Sequence, residues 1–401
     1  MKRIMAIALA FMFGLSGQVW GAETINILHL DPFSGPFKEL GDRHNMGLQF
    51  AVDEINASGG LLGKKILLLK EDSQVKPDVA VRKATKSIMQ DGAKFVVNNI
   101  STAIVAALAP VVQEHKTIHF SSATYTASLT GKDFHKYFFR TGYNTEIFSR
   151  AFAAYFKTQP WRKFYLINQD FIFGHAVAED FKAALKRELP NAEIVGEDFH
   201  PMATKDFGPY ISKIIASKAE VVYTGDWGID LEVLIKQSNQ MGLKAVFASN
   251  QLDEPSVLAN IGQAGVGSMA ISMYLPTVET KENKAFREKW HEKFKDSRLP
   301  WPANPVGYSY DSVMFFAEAV KKAGSLDPEA IIKAWEGLEY NSTCGKVLMR
   351  ACDHQMLQPL FLSKIEAKSE FFSFPFNGKP VVIPREVAAV PPAETGNPRC
   401  K

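Results

Sequence analysis

Residues 25–30 read Ile25-Asn26-Ile27-Leu28-His29-Leu30, residues 46–56 read Met46-Gly47-Leu48-Gln49-Phe50-Ala51-Val52-Asp53-Glu54-Ile55-Asn56, and residues 66–69 read Ile66-Leu67-Leu68-Leu69. The first and last are short apolar runs, the pattern of a strand buried on both faces. In the middle stretch Met46, Leu48, Phe50, Ala51, Val52 and Ile55 are apolar, while Asp53 and Glu54 face solvent. That periodicity predicts a helix over 41–56, which Ser58-Gly59-Gly60 stops.

The alternation continues in both directions along the chain. Helix 77–90 has Pro77 in its first turn and Asp91-Gly92 at its end. Strands over 95–97 and 118–120 flank a helix over 103–113. A second series places strands over 164–167, 194–197, 221–224, 246–248 and 269–273. Helices near 144–158, 175–188, 206–217, 229–241 and 254–261 lie between them. Strands alternating with helices imply parallel sheets covered on both faces, so the expected fold is α/β with two doubly wound domains. The last third adds helices near 281–296, 308–323 and 328–336, then a hairpin around 344–352. After Phe376 the chain is rich in Pro and small residues and is expected to be extended or disordered.

A chain of 401 residues suits two domains rather than one. Its 46% hydrophobic and 22% charged residues are ordinary for a soluble protein. The net charge is +3 with both signs interspersed, so no nucleic-acid partner is expected. Lys2 and Arg3 precede a short apolar run over 4–15 and small residues at Gly21 and Ala22, the layout of a signal peptide over 1–22. The run is shorter than the roughly 20 residues that span a bilayer. No Cys follows it, so an exported, periplasmic chain without a lipid anchor is expected. Of the three cysteines, Cys344 and Cys352 are expected to pair across the hairpin, leaving Cys400 over. No ligand spacing for a metal is present.

In open parallel sheets, ligands sit beyond the carboxyl ends of the strands. The loops at those ends are 31–40, 98–102, 121–126, 168–173, 225–227 and 249–251. In loop 98–102, Ser101 or Thr102 suits a helix N-cap, and the free N–H groups of that turn suit an anion. Taken alone, the loop reads first as a cap with no ligand. Loop 121–126 reads Ser121-Ser122-Ala123-Thr124-Tyr125-Thr126, with five hydrogen-bonding residues for a carboxylate or hydroxyl. Phe173 and Trp227 each place a ring at the mouth of a strand, where two rings can sandwich a ligand. Asp226 and Asp230 offer negative charge, or lie on exposed surface. No Gly-x-Ser-x-Gly elbow, His-Glu-x-x-His pair or phosphate loop is present. Neither catalysis nor a cofactor is therefore expected.

Ser34-Gly35-Pro36, Gly41, Gly47, Val52-Asp53-Glu54-Ile55-Asn56 and Gly59-Gly60-Leu61-Leu62-Gly63 together resemble the amino-terminal motif of periplasmic binding proteins of the leucine/isoleucine/valine class. Such proteins serve ABC importers. The resemblance runs through Asp72, Asp91-Gly92 and segments 164–174, 223–242 and 350–355. It implies a type I fold of two lobes joined by three crossovers. Lobe one would hold 23–143 and 275–355, lobe two 144–274 and 356–385, with a tail over 386–401. It also implies a monomer that carries a small amino acid or organic acid to an inner-membrane permease. A soluble sensory domain of the same fold is the alternative.

The resemblance further implies that a ligand carboxylate is held at Ser101, Thr102, Ala123, Thr124 and Tyr125, and that Phe173 and Trp227 cover the ligand. Where the family carries an acid for the ligand's ammonium, this chain has Gln251. Where the family has a first-loop Tyr, it has Leu40. A neutral amide cannot neutralise a buried ammonium. The expected ligand is thus an organic acid without an amine, aromatic or otherwise, with an amide or urea-like solute as rival. Asp226, if turned inward, would restore an amino acid.

Overall fold

The computed structural model describes residues 24–401. The expected signal peptide over 1–22 lies outside the described residues. Lobe one begins β1 (Ile25–Asp31), α1 (Lys38–Ala57), β2 (Ile66–Asp72), α2 (Pro77–Met89), β3 (Ala93–Val97), α3 (Thr102–Glu114), β4 (Ile118–Ser121) and β5 (Phe138–Arg140). Its five strands run parallel in the order β2-β1-β3-β4-β5. The chain then enters lobe two through α4 (Thr145–Phe156), β6 (Lys163–Gln169), α5 (Ile172–Glu188), β7 (Glu193–His200) and α6 (Gly208–Ser217). It continues with β8 (Val221–Thr224), α7 (Gly228–Gln240), β9 (Val246–Ser249), α8 (Pro255–Ile261) and β10 (Met269–Ser272).

A second passage returns it to lobe one for α9 (Lys281–Phe294), α10 (Val306–Ala323) and α11 (Pro328–Trp335). A small sheet follows, β11 (Glu339–Ser342), β12 (Gly345–Met349) and β13 (Met356–Leu357). A third passage leads to β14 (Leu360–Glu366), β15 (Phe376–Asn377), β16 (Val381–Ile383) and α12 (Arg385–Ala388). The second sheet runs β15-β14-β10-β9-β8-β6-β7, with β16 also on β14. It is parallel from β7 to β10, but β14 joins antiparallel and makes it mixed.

The abundant Phe residues are mostly core. Phe120 stacks on Phe316 and Phe139 on Trp335 in lobe one, while Phe181 stacks on Tyr223 in lobe two. The motif glycine Gly47 has a packing reason. A Cβ there would lie 2.3 Å from the Val306 carbonyl, so only glycine lets α1 lie this close to α10.

Two expectations fail at the carboxyl end. The tail is ordered: β16 pairs with β14, and α12 packs on α4. Arg150 of α4 donates to the Ala389 carbonyl, Arg350 to that of Val390, and Asn397 to that of Thr130. The tail therefore touches both lobes. The disulfide joins Cys352 to Cys400, not to Cys344, with 5.1 Å between α-carbons. Strand β12 separates 344 from 352, and its five residues at about 3.3 Å each hold the two roughly 17 Å apart, beyond the roughly 7 Å a disulfide spans. Cys344 is instead a buried free thiol that donates to the Met273 carbonyl at 2.7 Å.

One buried carboxylate sets the loops of lobe one. Asp31 ends β1, and its Oδ1 accepts the N–H of Asn99 at 2.9 Å, that of Ile100 at 3.1 Å and the Asn98 amide at 3.0 Å. Its Oδ2 faces His29 at 2.9 Å and His44 at 3.2 Å. Burial alone would raise this carboxyl, but the bonds from His29 and His44 hold it well below the usual range. Asn99 Oδ1 in turn accepts from the N–H and hydroxyl of Ser122. Loops 98–102 and 121–126 are thereby fixed to β1.

Removing this charge leaves its partners unmet. Asp31→Asn is expected to lower stability by about 3 kcal/mol or more, read from urea denaturation. Because the folded carboxyl is depressed, its contribution is present at neutral pH and lost only as pH falls below the ordinary carboxylate range. Cys400→Ser opens a 48-residue loop and is expected to lose roughly 4 kcal/mol by chain entropy. Cys344→Ala, which breaks no crosslink, should cost markedly less in the same measurement.

Candidate ligand-binding cleft

The loops at the strand ends of both lobes face one another across a closed cleft. Phe37 meets Trp227 with ring centroids 4.9 Å apart, and Tyr125 meets Phe173 at 5.9 Å. Arg43 of α1 pairs with Glu254, the N-cap of α8. Asn304, just before α10, donates its amide to Asp253. Each of these contacts joins lobe one to lobe two, so the chain is in a closed form.

On lobe one, Ser101 is the N-cap of α3, and its hydroxyl accepts from the Ile104 N–H at 3.4 Å. Its φ of 85° is unusual for serine. Such strain is sustained where surrounding structure dictates the conformation. The Asp31 bonds on Asn99 and Ile100 supply that constraint. Thr102 sits in the first turn of α3, 3.0 Å from the Thr126 hydroxyl. Ala123, Thr102 and Tyr125 are partly exposed in the cleft. Thr124 is not: it is buried and donates to the Ser121 hydroxyl. Tyr308 faces His44 at 3.1 Å, and His44 faces Asp31. Burial raises the Tyr125 and Tyr308 phenols, so both remain hydrogen-bond donors.

On lobe two, Phe173 lies in the first turn of α5 and Trp227 is the N-cap residue of α7. Gly174 lets α5 start hard against β6, since a Cβ there would fall 2.0 Å from the Gln169 carbonyl. Asp226 does not open onto the cleft. It is fully buried, its Oδ1 accepts from the Gln169 N–H at 2.8 Å, and its Oδ2 bonds His200 at 2.8 Å. Burial lowers the His200 ring, but the Asp226 bond and charge raise it on balance. Asp230 is buried too, accepting from Gln169 and the Ala203 N–H. Both acids tie strand ends together, as Asp31 does in lobe one. Gln251 is partly exposed, its N–H bonded to Ser249.

The structure brings Ser101, Thr102, Ala123, Tyr125, Phe173, Trp227 and Gln251 to the two facing rims. It adds residues that were not singled out from the sequence: Phe37, Arg43, Tyr143, Asn250, Asp253, Asn304 and Tyr308. Part of the signal was available, because Arg43 and His44 fall on the buried face of α1 beside Gly47 and Leu48. Two surface cavities, each about 220 Å³, lie away from this cleft. One is bounded by Glu146, Arg150, Asp180 and Arg187 under the tail.

The family model for periplasmic binding proteins matches residues 24–370. A Leu/Ile/Val-binding protein homolog from Brucella melitensis is 28% identical over 91% of this chain and 88% of its own length. The closed crystal structure of a leucine-, isoleucine-, valine-, threonine- and alanine-binding protein from Brucella ovis superposes with a TM-score of 0.84 at 26% identity. It covers 92% of this chain and 97% of that one. A solute-binding protein from R. palustris in complex with 4-hydroxybenzoate shares the fold with a TM-score of 0.80 at 23% identity, over 90% and 97% of the two chains. Among the described residues no helix is long and apolar enough to cross a membrane. A family match over most of the chain, two α/β lobes and a cleft closed on facing strand ends agree, and the chain belongs to the periplasmic binding protein family.

Proposed function

We propose that this protein captures a small organic acid in the periplasm and delivers it to an ABC permease as a monomer, after export by the segment 1–22. The observation that carries the reading is the pairing of an anion-binding helix start with an aromatic cover. The N–H groups of the first turn of α3, with Thr102 and the Tyr125 phenol, suit a carboxylate. Phe173 and Trp227 suit an apolar or aromatic body above it.

Neither Gln251 nor Asp226 offers a counter-charge for a ligand ammonium in this closed form. That favours acids over plain amino acids so long as Asp253, the remaining buried carboxylate of the cleft, is held in its acid form. The relatives named for leucine, isoleucine and valine favour the amino-acid reading, and the 4-hydroxybenzoate neighbour shows that the fold accommodates an aromatic acid. Binding is non-catalytic: ligand shifts the open–closed equilibrium only to the extent that it binds the closed form better.

A thermal-shift screen with aliphatic amino acids, aromatic acids, amides and short-chain acids tests the ligand class, since a bound ligand raises the midpoint by mass action. Acids should shift the midpoint and leucine should not; the reverse would make the ligand an amino acid. Trp227→Ala is expected to weaken binding of the best acid by roughly 1–3 kcal/mol by calorimetry, the range for loss of an aromatic anchor. An unchanged dissociation constant would remove Trp227 from the site.

A further inference from the structure

Deep in the closed cleft, Asp253 is 3% exposed and Asn304, which donates to it across the lobes, is 6% exposed. Among the described residues the Asn304 Oδ1 has no partner, and neither does either polar atom of the buried Asn250 side chain, whose backbone carbonyl accepts from the Tyr143 phenol. Asn250 stands out among the described residues as the amide with both side-chain atoms unmet, and beside it the half-met Asn304 and the buried Asp253 point to a guest that meets them.

The groups that face Asp253 are neutral. Tyr125, Tyr143 and Tyr308 lie near enough for the Asp253 charge to raise their phenols, and Ser272 of β10 lies beside it. The adjoining charges are already paired: Arg43 with Glu39 and Glu254, and His44 behind Tyr308 with Asp31. A buried carboxylate with no counter-charge favours its acid form. A ligand carboxylate at α3 would place one negative charge in the same cleft and oppose a second.

We infer that Asp253 and Asn304 form a second polar subsite, which reads an uncharged hydrogen-bonding group of the ligand such as a ring hydroxyl, and that closing the cleft takes up a proton onto Asp253. The inference rests on carboxylate capture at α3 and narrows the ligand to a hydroxyl-bearing organic acid. It assigns Asp253 a role in specificity: as an acid it can both donate to and accept from a hydroxyl, which benzoate-like acids lack.

Burial in the closed form lifts the Asp253 carboxyl from its ordinary 3.8 to about 7. An open cleft exposes it to water at its ordinary value. Closing is therefore unpenalised below about pH 4, weakens as pH rises, and levels off above about pH 7. In between, affinity changes by up to about tenfold per pH unit.

The test is titration calorimetry at pH 6, in two buffers of different ionisation heat, with benzoate, 4-hydroxybenzoate and leucine. The expected result is 4-hydroxybenzoate binding at least about tenfold tighter than benzoate, with uptake of most of one proton. Asp253→Asn should abolish the uptake and flatten the affinity between pH 5 and 7. Asp253→Leu should erase the preference for the hydroxylated acid. Equal binding of benzoate and 4-hydroxybenzoate would overturn the second subsite while leaving carboxylate capture standing. Leucine binding without proton uptake, lost about a hundredfold or more in Asp253→Asn, would make Asp253 the counter-charge of an ammonium and overturn the inference. Binding of neither acid would remove carboxylate capture at α3, and this inference with it.

Discussion

The Asp31 carboxylate is the constraint on which the binding face depends. It lies at the end of β1 with no exposure to water, and its bonds run to Asn98, Asn99 and Ile100 in one direction and to His29 and His44 in the other. The first set fixes the turn that strains Ser101 and starts α3. The second reaches Tyr308 of α10 through His44. A single buried charge thus orients a helix start and a phenol from elements more than two hundred residues apart. Lobe two repeats the device with different residues: Asp226 joins the ends of β6 and β7 through Gln169 and His200, and Asn168 accepts from the Gly225 N–H. With the strand ends tied inside each lobe, relative motion of the lobes falls to the three passages that join them.

The polar and ring contacts across the cleft are individually weak. The Arg43–Glu254 pair is largely buried, with side chains 6% and 16% exposed. In an open cleft both would be solvated, and taking two charges out of water offsets most of their attraction. The Asp253–Asn304 contact carries a similar desolvation cost. The two interlobe ring contacts each contribute on the order of 1 kcal/mol beyond their buried area. Such contacts define the geometry of closure without forcing it, and a ligand that fills the cleft supplies the difference. The tail, tied to lobe one by the Cys352–Cys400 disulfide and to lobe two by Arg150, links the lobes once more.

The fold was legible because doubly wound lobes repeat one simple rule, apolar strand then amphipathic helix, which residues 25–69 already display. The rims were legible as loops at strand ends, and Ser101, Thr102, Tyr125, Phe173 and Trp227 lie on those loops. What escaped depends on distance rather than pattern. Asp226 looks like a loop acid in sequence, but His200 and Gln169, from other strands, claim it. Asp253 and Asn304 are unremarked loop residues until closure brings them together. The Cys352–Cys400 bond and the ordered tail hinge on packing against α4 and on contacts to Thr130 and Glu336, none of which Pro-rich composition discloses.

Capture as proposed depends on the two rims closing on a bound acid. Nitroxide labels at Lys38→Cys and His175→Cys, exposed positions on opposite rims, would report their separation by pulsed electron paramagnetic resonance. Adding the best-bound acid should collapse a broad, long distance distribution into a short, narrow one that matches the closed form. An unchanged distribution at saturating ligand would contradict closure as the mode of capture.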